Sequence, residues 1–240
     1  MLDRFLLSTD AERASNTLLK LARHDISAWA ITGGLAVEIH LLQLGHQCSV
    51  RALNDIDFLV DSFCCVPQGM APKFLFRHIH PEDPPGKVVA QFVDAGTATR
   101  VDVFRCDRAV MARTFPLNLG PISLRIVSLE DLVARHARIL LGMAEGKAIP
   151  NKHATDFLRL RSLVNDEVLE SVWQSHRNAN HPSRFTDTVS LLEILIDGHP
   201  EQLITQKYST DVDDSCSRCR MMFPFQLADP KLILSLLGYC

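Results

Sequence analysis

An alternation of acidic and apolar residues constrains this chain more than any other feature of its sequence. The segment reads Asn54-Asp-Ile-Asp-Phe-Leu-Val, in which Asp55 and Asp57 are two residues apart. Side chains two apart on a strand point to the same face. The segment therefore predicts a strand with two carboxylates on one face and apolar side chains on the other. Neighbouring carboxylates repel each other, so the pattern favours a cation between them.

A third acid lies in a similar setting. In Arg100-Val-Asp-Val-Phe, Asp102 is flanked by apolar residues that would face the core of the protein. Three strand carboxylates on one side of a sheet suit Mg²⁺ or Mn²⁺, which prefer oxygen ligands. Two such ions can activate an attacking oxygen and stabilise a leaving oxygen in phosphoryl transfer. By itself, each acidic pattern is also typical of a solvated strand edge.

A glycine pair precedes the acidic strand. Gly33 and Gly34 separate a predicted strand at 28–32 from a predicted helix at 35–44. Glycine lets the backbone approach a phosphate closely, and a helix N-terminus offers free N–H groups to an anion. Thr32 adds a hydroxyl at the same place. The alternative interpretation is a simple strand-to-helix turn.

The wider pattern predicts an α+β fold. Strand patterns recur at 54–60, 74–79, 87–93, 99–104 and 122–127, and helical patterns lie at 8–24, 128–141, 152–163, 167–174, 186–196 and 230–237. Ser8 and Ser128 are suited to cap the helices that they precede. We therefore expect an α+β core at 1–145, with a sheet flanked by helices, and a mostly helical region at 146–240.

The composition excludes several classes of protein. The chain has 240 residues and a formal net charge of -3, so bulk charge does not attract it to nucleic acid or anionic membranes. Its apolar runs are too short to cross a bilayer. Its seven cysteines are irregularly spaced, which favours reduced thiols in the cytoplasm. Cys216 and Cys219 have the spacing of half a structural zinc site, and unligated cysteines are the alternative.

The order of these motifs resembles the nucleotidyltransferase superfamily, which includes DNA polymerase β-like enzymes and aminoglycoside nucleotidyltransferases. Two segments look most like AbiEii-type nucleotidyltransferase toxins of bacterial abortive-infection and toxin–antitoxin systems. They are Trp29-Ala-Ile-Thr-Gly-Gly-Leu-Ala-Val-Glu-Ile-His and Arg51-Ala-Leu-Asn-Asp-Ile-Asp-Phe-Leu-Val. The similarity covers about residues 25 to 165, and it implies a mixed β-sheet.

The resemblance also implies an enzyme that transfers a nucleoside monophosphate from a nucleoside triphosphate, ATP included, to a hydroxyl. Pyrophosphate would be released. Gly33, Gly34 and Arg51 would contact the triphosphate, and Asp55 and Asp57 would bind Mg²⁺. Asp102 would share a metal ion or take the proton of the attacking hydroxyl.

Two further elements of the chain bear on the same resemblance. Lys152 and Asp156 resemble the Lys-x-x-x-Asp of its first C-terminal helix, which can reach over the active site. An ordinary pair on a helix surface is the alternative. In Ser128-Leu-Glu-Asp-Leu-Val-Ala-Arg-His, His136 stands where the toxin branch commonly has a lysine. A neutral histidine binds phosphate less well than lysine at pH 7.

The implied partners are a nucleoside triphosphate, an acceptor hydroxyl on RNA (a tRNA end) or on a protein, and a cognate antitoxin, in the cytoplasm and away from membranes. Two alternatives stay open. One is a non-catalytic module that binds a nucleotide or a partner protein, which His136 and the cysteine-bearing tail favour. The other is a nucleotidyltransferase that modifies a small molecule such as an antibiotic.

Overall fold

The computed structural model describes residues 1–80, 89–205, 226, 230–236 and 238, and for 78–80, 230, 233 and 236 it describes the backbone alone. The chain divides into two compact units. The first is Met1–Val127 with Tyr208–Cys240, and the second is Ser128–Lys207. One boundary between the units thus lies between Val127 and Ser128 and another between Lys207 and Tyr208. The sequence predicted a single boundary at 145–146. The helix that begins after Ser128 packs on later helices of the second unit, and it belongs with them.

A seven-stranded mixed sheet forms the centre of the first unit. Its strands are β1 Ala30–Thr32, β2 Asp55–Val60, β3 Phe74–His80, β4 Val89–Asp94, β5 Arg100–Arg105, β6 Phe115–Leu119 and β7 Ile122–Ile126. Their order across the sheet is β3-β4-β5-β2-β1-β7-β6. β2 runs parallel to β5 and β1 parallel to β7, while the other neighbours are antiparallel. The predicted α+β class and mixed sheet are confirmed.

The apolar face of β2 packs into an aromatic core. Ile56 and Phe58 are fully buried, as their alternation with the acidic residues predicts. The Phe58 ring contacts Trp29 edge to face, with 5.2 Å between ring centroids. The Trp29 indole N–H donates a hydrogen bond to the Cys65 carbonyl at 3.3 Å. This packing fixes which face of β2 carries the carboxylates.

Helices accompany the sheet in the first unit, and helices also make up most of the second unit. They are α1 Ser8–Leu21, α2 Gly33–Gln43, α3 Arg108–Ala112, α4 Leu129–Leu140, α5 Lys152–Arg161, α6 Asp166–Trp173, α7 Phe185–Gly198 and α8 Pro230–Leu236. The cap at Ser8 was predicted wrongly: Leu7 is the N-cap of α1 and makes no side-chain hydrogen bond. Within the described residues, no helix combines the length and the apolar character needed to cross a membrane.

The second unit is helical, as predicted, and α4 packs against α5, α6 and α7. Ser128 caps α4, since its hydroxyl oxygen accepts a hydrogen bond from the Asp131 N–H. That hydroxyl also donates to Asp131 Oδ2 at 2.6 Å, and His176 Nε2 lies 2.7 Å from Asp131 Oδ1. Asp131 is fully buried, so these contacts satisfy its carboxylate. A short parallel pair, β8 Ile149–Pro150 and β9 Leu203–Ile204, completes the unit.

Candidate metal centre

Three carboxylates meet on one face of the sheet in the first unit. The parallel register of β2 and β5 places Asp57 opposite Asp102, and Asp55 is two residues before Asp57 on the same face. One ligand oxygen from each of the three lies within 4.8 Å of the others. Asp102 is buried, and Asp55 and Asp57 are half-buried. The predicted acidic cluster is thus present as a geometric unit.

The glycine turn lies directly against this cluster. Gly33 has φ +66°, and a Cβ at this position would be 2.0 Å from Asp57 Oδ2. No residue other than glycine leaves room for that carboxylate, and few adopt that backbone conformation without strain. Thr32 pairs with Asp57 in the register of β1 and β2 and is fully buried. Gly33 and Thr32, which were both predicted as site residues, therefore adjoin Asp57.

An arginine that the sequence analysis did not select joins the cluster. Arg100 is opposite Asp55 in the register of β2 and β5. Its Nη2 forms an ion pair with Asp55 Oδ2, and its Nε lies 3.2 Å from Asp102 Oδ2. One guanidinium therefore contacts two of the three carboxylates.

Gln91 of β4 extends the same row of residues by one strand. It is opposite Asp102 in the register of β4 and β5, and its Nε2 donates to Asp102 Oδ2 over 3.5 Å. The residue is 6% exposed. Among the described residues, its buried Oε1 has no hydrogen-bond partner. An amide oxygen is also an acceptable ligand for a hard cation.

Arg51 is anchored beside the glycine turn. Its Nε forms an ion pair with Glu38 Oε1 at 2.6 Å, and Glu38 of α2 is fully buried. Glu38 Oε2 also accepts a hydrogen bond from the Ser49 N–H. A Cβ at Gly34 would be 3.2 Å from Arg51 Nη1. The buried glutamate thus holds the guanidinium against the start of α2.

Three predicted site residues belong to the second unit. Lys152 is the first residue of α5, and Asp156, one turn later, is buried and pairs with Arg159 at 3.7 Å. His136 of α4 is 5% exposed, and its Nδ1 is 3.2 Å from His153 Nδ1. His136 therefore lies in the interior of its own unit, next to a second histidine.

The zinc hypothesis falls on residues that are not described, because Cys216 and Cys219 lie outside the described part of the chain. The expectation that all thiols are reduced is wrong for Cys64, which is disulfide-bonded. Cys48, Cys65 and Cys106 are not disulfide-bonded. Burial, and then the charge of Asp61, raises the pKa of the Cys65 thiol to about 11.

The residues that sequence reasoning missed each broke a local pattern. Arg100 has the same parity as Asp102 on β5, so alternation places both on one face. Gln91 is a polar residue inside an apolar strand, and Glu38 is an acid inside an apolar helix. A polar side chain that becomes buried needs hydrogen-bond or ionic partners. A polar residue within an apolar segment was therefore the available sign that these three side chains contact other polar groups.

The donor set fits a hard divalent cation. It consists of carboxylate oxygens on neighbouring strands, and such oxygens are the ligands of Mg²⁺ and Mn²⁺. Carboxylates this close also need positive charge nearby, and Arg100 supplies part of it. The cluster can therefore hold a metal ion and, through it, an anionic phosphate group.

No protein-family model matches the sequence of this chain, and no curated protein matches it. The resemblance to nucleotidyltransferases consequently rests on the sequence motifs alone.

Proposed function

We propose that the protein is a Mg²⁺-dependent nucleotidyltransferase that transfers a nucleoside monophosphate from a nucleoside triphosphate to a hydroxyl group. The observation that supports this most is the cluster of Asp55, Asp57 and Asp102, whose ligand oxygens lie within 4.8 Å of one another. The glycine turn at the start of α2 directly adjoins it. The order of the motifs along the chain agrees with the proposal.

In the proposed reaction, the acceptor oxygen attacks the α-phosphorus, and the bond from this phosphorus to the bridging oxygen of the β-phosphate breaks. Pyrophosphate leaves with that electron pair, and the proton of the hydroxyl passes to a carboxylate. We assign this proton to Asp102, which is the most buried member of the cluster. Asp55 and Asp57 would hold Mg²⁺, with Asp102 sharing the ion through its other oxygen, and the ion would supply Lewis-acid stabilisation to the phosphates.

The triphosphate would lie along the start of α2. The unpaired N–H groups of a helix N-terminus favour an anion, and Gly33 and Gly34 let Asp57 and Arg51 approach the backbone there. Arg51 adds a positive charge at the same place, held by Glu38. In this proposal Glu38 is a positioning residue, because it acts through Arg51.

The acceptor, the partners and the compartment are further parts of the proposal. RNA, with a tRNA end as the first candidate, or a protein hydroxyl is the acceptor that the resemblance favours, and an antitoxin is the matching partner. A nucleoside triphosphate as co-substrate is consistent with the cytoplasm. Lys152, Asp156 and His136 stay candidates for nucleotide contacts on the resemblance alone.

The test measures transfer directly. The purified protein is incubated with Mg²⁺, each α-labelled nucleoside triphosphate in turn, and total cellular RNA. We expect label in RNA or in protein, and we expect Asp55→Asn to abolish it because a metal ligand is lost. Asp61→Asn is the matched control, since it removes an exposed carboxylate just beyond β2. Undiminished labelling by Asp55→Asn would contradict the proposal.

A non-catalytic nucleotide-binding module is the second candidate. The pairing of Arg100 with both Asp55 and Asp102 favours it, because a guanidinium can serve as a permanent structural cation in the cluster. The same assay separates the two candidates. Metal-dependent nucleotide binding without label in any acceptor would support the binding module.

A further inference from the structure

We infer that Arg100 is a built-in counter-ion that competes with the divalent cation for Asp55 and Asp102 and so keeps metal binding weak until an anionic co-substrate arrives. The inference rests on the proposed function, because it concerns the same site. It assigns a function to a residue that the motifs of the sequence do not single out.

The geometry makes Arg100 a direct competitor of the metal ion. It pairs with Asp55 and, over 3.2 Å, with Asp102. Both carboxylates belong to the set that converges within 4.8 Å. The Arg100 side chain is 21% exposed, so its charge is partly shielded from water and acts more strongly than that of a surface arginine.

The charges of the cluster lead to the same inference. Three carboxylates and one guanidinium sum to a charge of -2, which one divalent cation balances. Without Arg100 the cluster would carry a charge of -3 and would attract a cation more strongly. Even with the screening of bulk water, a unit charge and a divalent ion about 6 Å apart repel by an energy that corresponds to about tenfold in affinity.

Gln91 indicates independently that the cluster is built for a ligand. Its side chain is almost fully buried beside Asp102, and its Oε1 has no hydrogen-bond partner within the described part of the chain. Burial of a polar atom without a partner is costly. If the amide turned about its last side-chain bond, its Oε1 would face a cation at the cluster in place of the Nε2 that now faces Asp102.

The consequence is a coupling between the metal and the co-substrate. When a cation takes Asp55 and Asp102, the Arg100 guanidinium is released from them and can pair with a phosphate group. Each ligand then strengthens the binding of the other, as coupled equilibria require. The protein would acquire its metal together with the nucleoside triphosphate rather than in advance of it.

The test is a titration of the whole protein with Mn²⁺ in the absence of nucleotide, in which electron paramagnetic resonance measures the free Mn²⁺. We expect Arg100→Met to bind Mn²⁺ about tenfold more tightly than the wild type. Arg105→Met is the matched control, because Arg105 is an exposed residue of the same strand on the opposite parity. Its affinity should stay within about twofold of the wild-type value.

Three outcomes are distinguishable. Unchanged or weaker Mn²⁺ binding by Arg100→Met overturns the inference and leaves the proposed function standing. If neither the wild type nor Arg100→Met binds Mn²⁺, both the inference and the proposed function are overturned. Tighter binding by Arg105→Met to the same extent overturns the inference as well, because the effect would then be one of net charge. Arg100→Gln provides a second variant, should Arg100→Met fail to fold in a thermal unfolding check.

Discussion

Two carboxylate sites in the first unit, one at Asp94 and one at the cluster of three, have opposite surroundings. Asp94, at the end of β4, is fully buried and pairs with Lys20 of α1 at 2.6 Å. It also accepts hydrogen bonds from Thr17 Oγ1 and the Gly96 N–H, each at 2.8 Å. At the other site, Asp55, Asp57 and Asp102 converge, and the guanidinium of Arg100 contacts Asp55 and Asp102.

Whether a carboxylate stabilises the fold or attracts a cation depends on the hydrogen bonds and positive charges around it. Burial by itself would raise the pKa of Asp94, but the hydrogen bonds from Lys20, Gly96 and Thr17 outweigh it and hold the pKa below the ordinary value. That carboxylate therefore stabilises the fold. The cluster of three instead brings carboxylates within 4.8 Å of one another, as sites that bind cations do.

The sharpest test exchanges one carboxylate at each site. Asp57→Asn should lower nucleotide transfer by about a thousandfold, because a metal ligand worth several kcal/mol of transition-state stabilisation is lost. Its free energy of unfolding should hold or rise, since repulsion among the carboxylates is relieved. Urea unfolding and the labelling assay measure the two quantities.

Asp94→Asn is the counterpart and should behave in the opposite way. It should lose about 2 kcal/mol of unfolding free energy, the typical value of hydrogen bonds to a charged group. Transfer by the folded variant should stay close to that of the wild type. A large loss of stability in Asp57→Asn, with none in Asp94→Asn, would reverse the comparison.

A second test concerns the glycine that makes room for Asp57. Gly33→Ala should weaken Mn²⁺ binding ten- to about a hundredfold, in the range typical of a displaced metal-site neighbour, because a Cβ would be 2.0 Å from Asp57 Oδ2. Gly120→Ala is the matched control, with φ +63° and nothing within 4 Å of the added Cβ. Both variants should lose about 1 kcal/mol of stability to backbone strain. Equal Mn²⁺ affinities in the two variants would show that Gly33 does not shape the site.

The smallest expected effect is a pH dependence that belongs to Asp94. Because its pKa is lower in the folded protein than the ordinary 3.8, Asp94 contributes stability that is fully present above that pH and is lost as the pH falls through the lower, folded value. The difference in unfolding free energy between the wild type and Asp94→Asn should therefore be constant from pH 7 to about pH 5 and shrink below about pH 4. Urea unfolding across this range measures it, and a difference that grows towards low pH would contradict the assignment.

Local sequence patterns were sufficient for much of the fold. The period-two alternation around Asp55 and Asp57 predicted both their strand and their shared face, since residues of equal parity must point to one side. Ser128 was correctly predicted as a cap from its position before a helical pattern. Ser8 looked equally suitable but is itself the first residue of α1. A cap depends on where the first turn starts, which packing decides.

Other elements gave too weak a local pattern to be predicted. β6 was not expected, because Pro116 near its start makes Phe115–Leu119 a poor strand pattern. It forms a strand because it pairs with β7 along its whole length. The boundary between Val127 and Ser128 was not expected for a similar reason, since α4 follows the last strand of the sheet in sequence but packs with later helices.

Each short segment could be read from its own residues: two carboxylates on one face of a strand, a third acid on another strand, and a glycine turn before a helix. Which of these segments lie together depends on the tertiary structure. β5 lies beside β2 in a register that places Asp57 opposite Asp102 and Arg100 opposite Asp55. Strand order and register are set by packing between segments far apart in the chain, so the counter-ion and Gln91 became visible only in the folded sheet.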